Sequence, residues 1–186
     1  MPIRIALLLY PDFQLLDAAG VTAAFEIAGA LGKSAYETIA VSNQGGLIRS
    51  SSGMAIETVP LAKAGFFDTL VVVGGEGHVT AMVCPELQAF IRSQKSTARR
   101  ICSVCTGAFL LAAAGLLDGR RVTTHWQQAN VLKARFPQLT PSADSIFNND
   151  GPHWTVAGIT AGIATVSASM SDEIGGDIAQ PTAVQI

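Results

Sequence analysis

Charged side chains are scarce in this sequence. They make up 14% of its 186 residues, whereas hydrophobic residues make up 49%. A chain with so little charge and so much apolar content is not intrinsically disordered, and its length predicts one domain with a substantial core. The net charge of −2 also leaves no basic excess, so the chain by itself is not expected to bind nucleic acid.

Cysteines and long hydrophobic runs are also few. The three cysteines lack the spacing of a disulfide framework, which fits a reducing cytoplasm. The longest apolar run, Ala108 to Leu117, is about half as long as a membrane-spanning helix requires. The run Ile5 to Tyr10 is too short for the apolar core of a signal peptide, and no small-residue cleavage site follows it. We therefore expect a cytoplasmic protein that does not contact a membrane.

What the sequence does contain is an alternation of apolar strands with amphipathic helices. The predicted strands are Ile3 to Leu9, Tyr36 to Ser42, Thr69 to Gly77, Ile101 to Cys105, Val122 to His125, Ser142 to Asn148 and His153 to Ala157, with an antiparallel excursion from Leu47 to Thr58. The predicted helices are Leu15 to Leu31, Pro85 to Lys95, Thr106 to Gly115, Gln127 to Phe136 and Thr160 to Met170. This alternation predicts an α/β fold with a doubly wound sheet. The tail from Ser171 to Ile186 has no apolar period and is expected to be a frayed end or the start of a linker.

The segment Arg99 to Gly115 predicts a short apolar strand, a tight corner and a helix rich in Ala and Leu. Cys105 falls at the corner, and Gly107 gives the backbone room to turn. This is the pattern of a nucleophile elbow with Cys in place of Ser. The first N–H groups of the helix are expected to point at the sulfur and to favour the thiolate.

Two other interpretations of Cys105 are open. It can be a plain buried cysteine, since free cysteines are commonly buried. It can also belong to a Cys-x-x-Cys redox or zinc motif with Cys102. In an extended strand, however, the two Cα atoms would be about 10 Å apart with side chains on opposite faces, and a disulfide requires less than about 7 Å. No second pair of Cys or His lies nearby to complete a zinc site.

Polar residues and glycines also follow the ends of other predicted strands, which is where ligands bind in open α/β sheets. Gly74 and Gly75, together with the N–H of Thr106, can form an oxyanion hole, or the glycine pair can be a simple turn. Asp17 can accept or supply the thiol proton, or it can be an ordinary carboxylate in the first turn of a helix. Glu76 belongs to the same glycine-rich strand end and is a further candidate for ligand binding.

The histidines and one tryptophan complete the candidates. His125 can act as a base or bind the ligand, or it can be structural. Trp126 is expected to be a pocket wall or a packing residue. His78 and His153 lack the partner spacing of metal ligands, so neither a metal nor a cofactor is expected.

Taken together, these segments resemble the DJ-1/PfpI superfamily, whose fold is that of class I glutamine amidotransferases. The resemblance covers roughly Ile3 to Met170. Its most specific parts are Ser103 to Gly107, Ala113 to Gly119, Thr123 to Trp126 and Asp150 to Ile163. The resemblance implies a flavodoxin-like, mostly parallel sheet sandwiched by helices, one domain over residues 1–170, and a homodimer.

Within the superfamily, the chain looks most like the N-terminal sensor domain of AraC-type transcriptional regulators. That resemblance implies a pocket that senses a small molecule, while a following helix-turn-helix domain binds DNA. The sequence has no residues for such a domain after Ile186, so the chain is expected to be a separated sensor half or a free-standing relative.

Isonitrile hydratases are the second resemblance. They imply that Cys105 attacks the isonitrile carbon, with Asp17 and Thr106 in the same active site. Thr106 stands where peptidase-like relatives have a histidine, so a PfpI-type protease is not expected. A DJ-1-like stress protein or a glyoxalase is a third alternative, and it depends on the acidic residue at position 17.

Overall fold

The computed structural model describes residues 2–31, 35–142 and 145–158 of the chain. Its strands are β1 (Ile3–Leu8), β2 (Tyr36–Ser42), β3 (Gly46–Arg49), β4 (Ala55–Pro60), β5 (Thr69–Val72), β6 (Arg100–Val104), β7 (Arg121–Val122), β8 (Thr140–Pro141), β9 (Phe147–Asp150) and β10 (His153–Val156). Its α-helices are α1 (Leu15–Leu31), α2 (His78–Ala81), α3 (Pro85–Ser93), α4 (Gly107–Ala113) and α5 (Ala129–Arg135). No helix within these ranges is long and apolar enough to cross a membrane.

Eight strands form one mixed sheet in the order β3-β4-β2-β1-β5-β6-β10-β9. The six central strands from β4 to β10 are parallel, whereas β3 and β9 at the two edges run antiparallel to their neighbours. From β1 the chain goes first to β2 on one side and then to β5 on the other. The carboxyl ends of β1 and β5 therefore meet at a topological switch point, where sheets of this kind bind ligands. The predicted flavodoxin-like, doubly wound architecture is confirmed.

The helix after β6 packs unusually close to the sheet. All residues of α4 from Gly107 to Ala112 are buried, and most of them are small or aliphatic. A Cβ atom on Gly107 would lie 2.2 Å from the carbonyl oxygen of Val72 in β5. Glycine at this position therefore lets the helix begin directly against the neighbouring strand, whereas the sequence pattern indicates only that Gly107 gives the backbone room to turn.

Several element boundaries differ from the predictions. Of the expected strand Val122 to His125, only Val122 lies in a strand, the two-residue β7, which pairs with β8 in a small separate sheet. The helix expected from Gln127 begins with a 3-10 turn, Trp126–Gln128, which is capped because the His125 side chain accepts a hydrogen bond from the Gln127 N–H. The strand expected from Ser142 begins only at Phe147. The helix predicted from Thr160 and the tail lie outside the described residues.

Candidate functional site

The corner between β6 and α4 has the strained geometry of a nucleophile elbow. Cys105 has a φ of +56°, a conformation that side-chain-bearing residues rarely adopt. Two hydrogen bonds hold its backbone: its N–H donates to Val156 O at 2.9 Å, and Thr124 Oγ1 donates to its carbonyl at 2.9 Å. The predicted elbow is therefore present, and its two flanking segments fix the direction of the thiol.

Gly74 marks the point where the groups around this thiol converge. A Cβ atom on Gly74 would lie 2.7 Å from Cys105 Cβ, 2.8 Å from the Thr106 nitrogen and 2.9 Å from Asp17 Oδ2. The strand end after β5 thus has to be free of a side chain for the elbow and the first turn of α1 to approach each other. The fold brings Asp17 and Cys105 together across 88 residues of sequence, as the resemblance implied.

The Asp17 carboxyl is 1% exposed, and burial raises its pKa from 3.8 to about 6. The Cys105 thiol and the Gly74 N–H oppose this shift, because both can donate hydrogen bonds to the ionised form. Neither reaches Oδ2 with good geometry, since Oδ2 has no hydrogen-bond partner among the described residues. A buried carboxyl with a pKa close to neutrality is suited to exchanging protons.

The expectation of a thiolate at Cys105 is wrong for the isolated chain. Burial and the neighbouring negative charge of Asp17 raise the pKa of the Cys105 thiol to about 12. The Thr106 N–H at the start of α4 favours the thiolate, but it does not outweigh those two effects. At neutral pH, Cys105 is therefore a thiol beside a largely ionised Asp17.

The predicted oxyanion hole is also not free. The Gly75 N–H donates to Thr106 Oγ1 at 2.9 Å, and the same hydroxyl donates to Gly75 O at 3.0 Å. The Gly74 N–H faces the Asp17 carboxyl, and the Thr106 N–H faces the Cys105 sulfur. The amides are close to the thiol, as expected, but the Gly75 N–H is already engaged by the Thr106 hydroxyl.

A cavity of about 270 Å³ opens beside the thiol. Five residues proposed from the sequence line it: Gly75, Glu76, Cys105, Thr106 and His125. Five more were missed: Gln14, Ser51, His78, Gln127 and Gln128. Hydrogen-bonding side chains dominate the second set, so this is a polar pocket rather than a hydrophobic slot.

Two of the missed residues, Gln14 and Ser51, reach the cavity because of a contact between segments that are far apart in the sequence. Phe13 forms isolated β-bridges with Ser50 and with Gly75, and it also accepts a hydrogen bond from the Ser51 N–H at 3.0 Å. This contact brings Gln14 and the tip of the β3–β4 hairpin to the strand end that carries Gly75. No local pattern in the sequence indicates it.

The remaining candidates have different positions. Trp126 is 71% exposed and stacks on His125 with ring centroids 5.9 Å apart, so it does not line the cavity. His78 is buried, and its Nδ1–H donates to the Gly75 carbonyl at 2.8 Å. Burial lowers the pKa of His78, so this ring is neutral where it lines the cavity and supports the glycine loop.

Residues 3–170 match the model of the DJ-1/PfpI family. The chain belongs to this family. Among its curated relatives, isonitrile hydratase of Pseudomonas putida is 34% identical over 189 residues, covering 100% of this chain and 78% of that protein. The HTH-type transcriptional regulator GlxA of Rhizobium meliloti is 33% identical over 95% of this chain, which spans 55% of the regulator's length.

Solved structures of the family superimpose over the whole chain. A THiJ/PfpI family protein from Pseudomonas syringae has a TM-score of 0.87 at 26% identity, covering 100% of this chain and 74% of that one. An AraC family transcriptional regulator from Pseudomonas putida has a TM-score of 0.86 at 21% identity, covering 99% of both chains. These two matches support the family fold.

Metal or disulfide chemistry finds no support at this DJ-1/PfpI site. Cys102 and Cys105 are both free thiols. In the part of the chain that the structure describes, no cluster of three or more His, Cys, Asp or Glu side chains could hold a metal ion. The Cys-x-x-Cys interpretation is therefore not met within the described residues.

Proposed function

We propose that this chain is a small-molecule-sensing domain of the AraC-type regulator kind, and that its sensing pocket is the polar cavity beside Cys105. The observation that supports binding over turnover is the state of the elbow. The thiol is protonated at neutral pH, and the Gly75 N–H, one of the amides that would stabilise an anionic intermediate, already donates to the Thr106 hydroxyl. Such a pocket can recognise a ligand without transforming it.

The lining predicts the charge of the ligand. Glu76 contributes a carboxylate, Asp17 lies close to Cys105, and no lysine or arginine among the described residues lines the cavity. Gln14, Gln127 and Gln128 offer amide donors and acceptors. The effector is therefore an uncharged or cationic molecule that forms several hydrogen bonds, and an anion is disfavoured.

A pair of probes of similar size but different charge tests this proposal. In ¹H–¹⁵N NMR spectra, N-methylacetamide is expected to shift the Gly75 and Thr106 amide resonances saturably, whereas acetate is not. Replacing Gln128, which lines the cavity, with Ala is expected to weaken the effect, and Gln138→Ala, outside the cavity, is the control. Tighter binding of acetate than of the amide would contradict the proposal.

A second function, hydration of an isonitrile, is favoured by one observation: Asp17 has a pKa near neutrality and lies next to Cys105. As the sulfur bonds to the isonitrile carbon, Asp17 takes the thiol proton and returns it to that carbon, giving a thioimidate. Water then adds across the carbon–nitrogen double bond, so that the nitrogen gains one proton and the carbon gains a hydroxyl. The carbon–sulfur bond breaks, and the sulfur regains its proton from that hydroxyl. The product is an N-substituted formamide.

Turnover of cyclohexyl isocyanide separates the two functions. If the chain is a hydratase, formamide appears, Cys105→Ala abolishes it, and the rate falls below about pH 6 as Asp17 becomes protonated. If the chain is a sensor, no formamide appears from the wild-type chain at any pH between 5 and 8. Formation of product that requires Cys105 would refute the sensing proposal in its present form.

We infer further that the chain forms a homodimer, as the resemblance implied. Leu16, Leu47 and Met54 are 56%, 74% and 62% exposed. They flank the contact between the start of α1 and the β3–β4 hairpin, where Phe13 bridges Ser50. Exposed apolar groups clustered in this way are typical of an interaction surface.

Light scattering should give twice the mass of one chain for the wild type, and the Leu47→Glu substitution should reduce the measured mass to that of the monomer. A wild-type monomer at high concentration would contradict the inference.

A further inference from the structure

A second cavity of about 460 Å³ lies beyond the ends of β1 and β2, and the proposed function does not use it. It is larger than the cavity beside Cys105 and is lined by a different set of residues. Apolar side chains make up much of its wall, including Leu9, Ile48 and Leu87. Polar groups stand among them: Asp12, Asn43 and Thr80.

The charges of this cavity are one-sided. Asp12 is the carboxylate among its lining residues, and no lysine, arginine or histidine is present there. No hydrogen bond or ion pair engages the Asp12 side chain within the described residues. The hydroxyl of Tyr10, by contrast, already donates to Val73 O at 2.8 Å. A bound ligand would therefore contact one unpaired carboxylate, that of Asp12, together with an apolar wall.

The backbone of Asp12 is as unusual as that of the elbow. Asp12 has a φ of +60°, and within the described residues only it and Cys105 combine a side chain with positive φ. Its carbonyl accepts a hydrogen bond from the Gly77 N–H at 3.2 Å. A Cβ atom on Gly75 would lie 2.5 Å from the same carbonyl oxygen. The surrounding packing thus holds the backbone of Asp12 in a strained, defined conformation, and its exposed side chain lines the cavity.

From these observations we propose that the cavity is a second ligand site, and that it binds a small organic cation with an aliphatic body, such as a primary or quaternary alkylammonium. The aliphatic part contacts the wall of Leu9, Ile48 and Leu87, and the cationic head pairs with Asp12. The site shares its boundary with the Cys105 pocket, because Asp12 and Gly77 line one cavity while Gln14 and Gly75 line the other. The proposal holds whether the Cys105 pocket senses or catalyses.

Three probes with the same six-carbon body test this second ligand site: hexylammonium, hexan-1-ol and hexanoate. Their dissociation constants are measured by ¹H–¹⁵N NMR titrations of the whole chain. Hexylammonium is expected to bind about fivefold more tightly than hexan-1-ol, since one charge pair at about 4 Å contributes that factor in water. Hexanoate is expected to bind most weakly. The largest shifts should fall on the Gly45 and Gly77 amides, which border this cavity.

Two variants locate the site. Asp12→Asn, which keeps a residue type that tolerates positive φ, is expected to abolish the preference for hexylammonium over hexan-1-ol. Thr80→Trp should block binding of all three probes, because Thr80 is exposed and lines the cavity, whereas Val79→Trp on the same helix is the control. Three results would each overturn the proposal. Hexanoate could bind as tightly as hexylammonium, the Thr80→Trp variant could bind the probes with wild-type affinity, or the shifts could be confined to the Cys105 pocket.

Discussion

Replacing Asp17 with Asn is expected to stabilise the protein at neutral pH and, at the same time, to make Cys105 more reactive. Both effects follow from one negative charge that is 1% exposed and lies next to the thiol. If Asp17 is also the proton carrier of a hydratase, the same variant loses turnover. A gain in stability and thiol reactivity with a loss of function would separate the electrostatic role of Asp17 from its chemical role.

The sign of the stability change follows from the pKa. Burial raises the pKa of Asp17 in the folded protein from 3.8 to about 6, so the folded state holds this proton more tightly than the unfolded state does. The free energy of unfolding therefore decreases as the pH rises from about 4 to above 6. Two pKa units correspond to about 3 kcal/mol, and the amide of Asn recovers part of that amount. We expect Asp17→Asn to gain about 1–3 kcal/mol at pH 7.5 and nothing at pH 4.

Thiol reactivity gives the second measurement on the same variant. Because the charge of Asp17 raises the pKa of Cys105, its removal increases the thiolate fraction about tenfold for each pKa unit recovered. Iodoacetamide labelling of Cys105 at pH 7.5, followed by mass spectrometry, should accelerate accordingly. Asp118→Asn, which removes an exposed carboxylate, is the control. The explanation fails if Asp17→Asn labels no faster than wild type, or if its stability difference is the same at pH 4 and pH 7.5.

Replacing Gly107 with Ala is expected to have the largest effect on the fold. The new Cβ atom would lie 2.2 Å from the Val72 carbonyl oxygen and 2.9 Å from its carbon, and both are backbone atoms of a central strand. Helix α4 would have to move away from β5, although its residues are buried almost throughout. Overpacking of this kind costs about 3 kcal/mol or more, which lowers the Tm of a domain of this size by about 10 °C.

Gly158→Ala is the matched control for this prediction, because a Cβ atom there meets no described residue within 4 Å. Its Tm should stay within about 2 °C of wild type. Thermal unfolding followed by circular dichroism measures both variants. Equal Tm values for the Gly107 variant and wild type would show that α4 does not require the close approach to β5.

The sequence predicted those features whose signals are local. The continuous apolar run from Ile3 to Leu9 identified β1, and the change from alternating to helical spacing at Cys105 identified the elbow. The hairpin was predicted because Ser51, Ser52 and Gly53 interrupt a strand pattern. In each case neighbouring residues carry the whole signal, so the prediction did not depend on tertiary contacts.

The state of the site could not be predicted in this way. The Thr106 hydroxyl accepts a hydrogen bond from the Gly75 N–H, although the two residues are 31 positions apart in the sequence. This hydrogen bond removes one donor of the expected oxyanion hole. The pKa of Cys105 depends on burial and on Asp17, which outweigh the helix N–H that the sequence does indicate. Local sequence therefore placed the thiol, but tertiary packing determines its protonation.

The most direct test of this account is a ¹³C NMR titration of the Asp17 carboxyl carbon between pH 3 and pH 9. The account predicts a midpoint near 6 in the wild-type chain. It also predicts a higher midpoint in Cys105→Ala, because the thiol favours the ionised carboxyl. A midpoint near 4 that does not change when Cys105 is replaced would contradict the claim that these two groups form one buried, proton-exchanging pair.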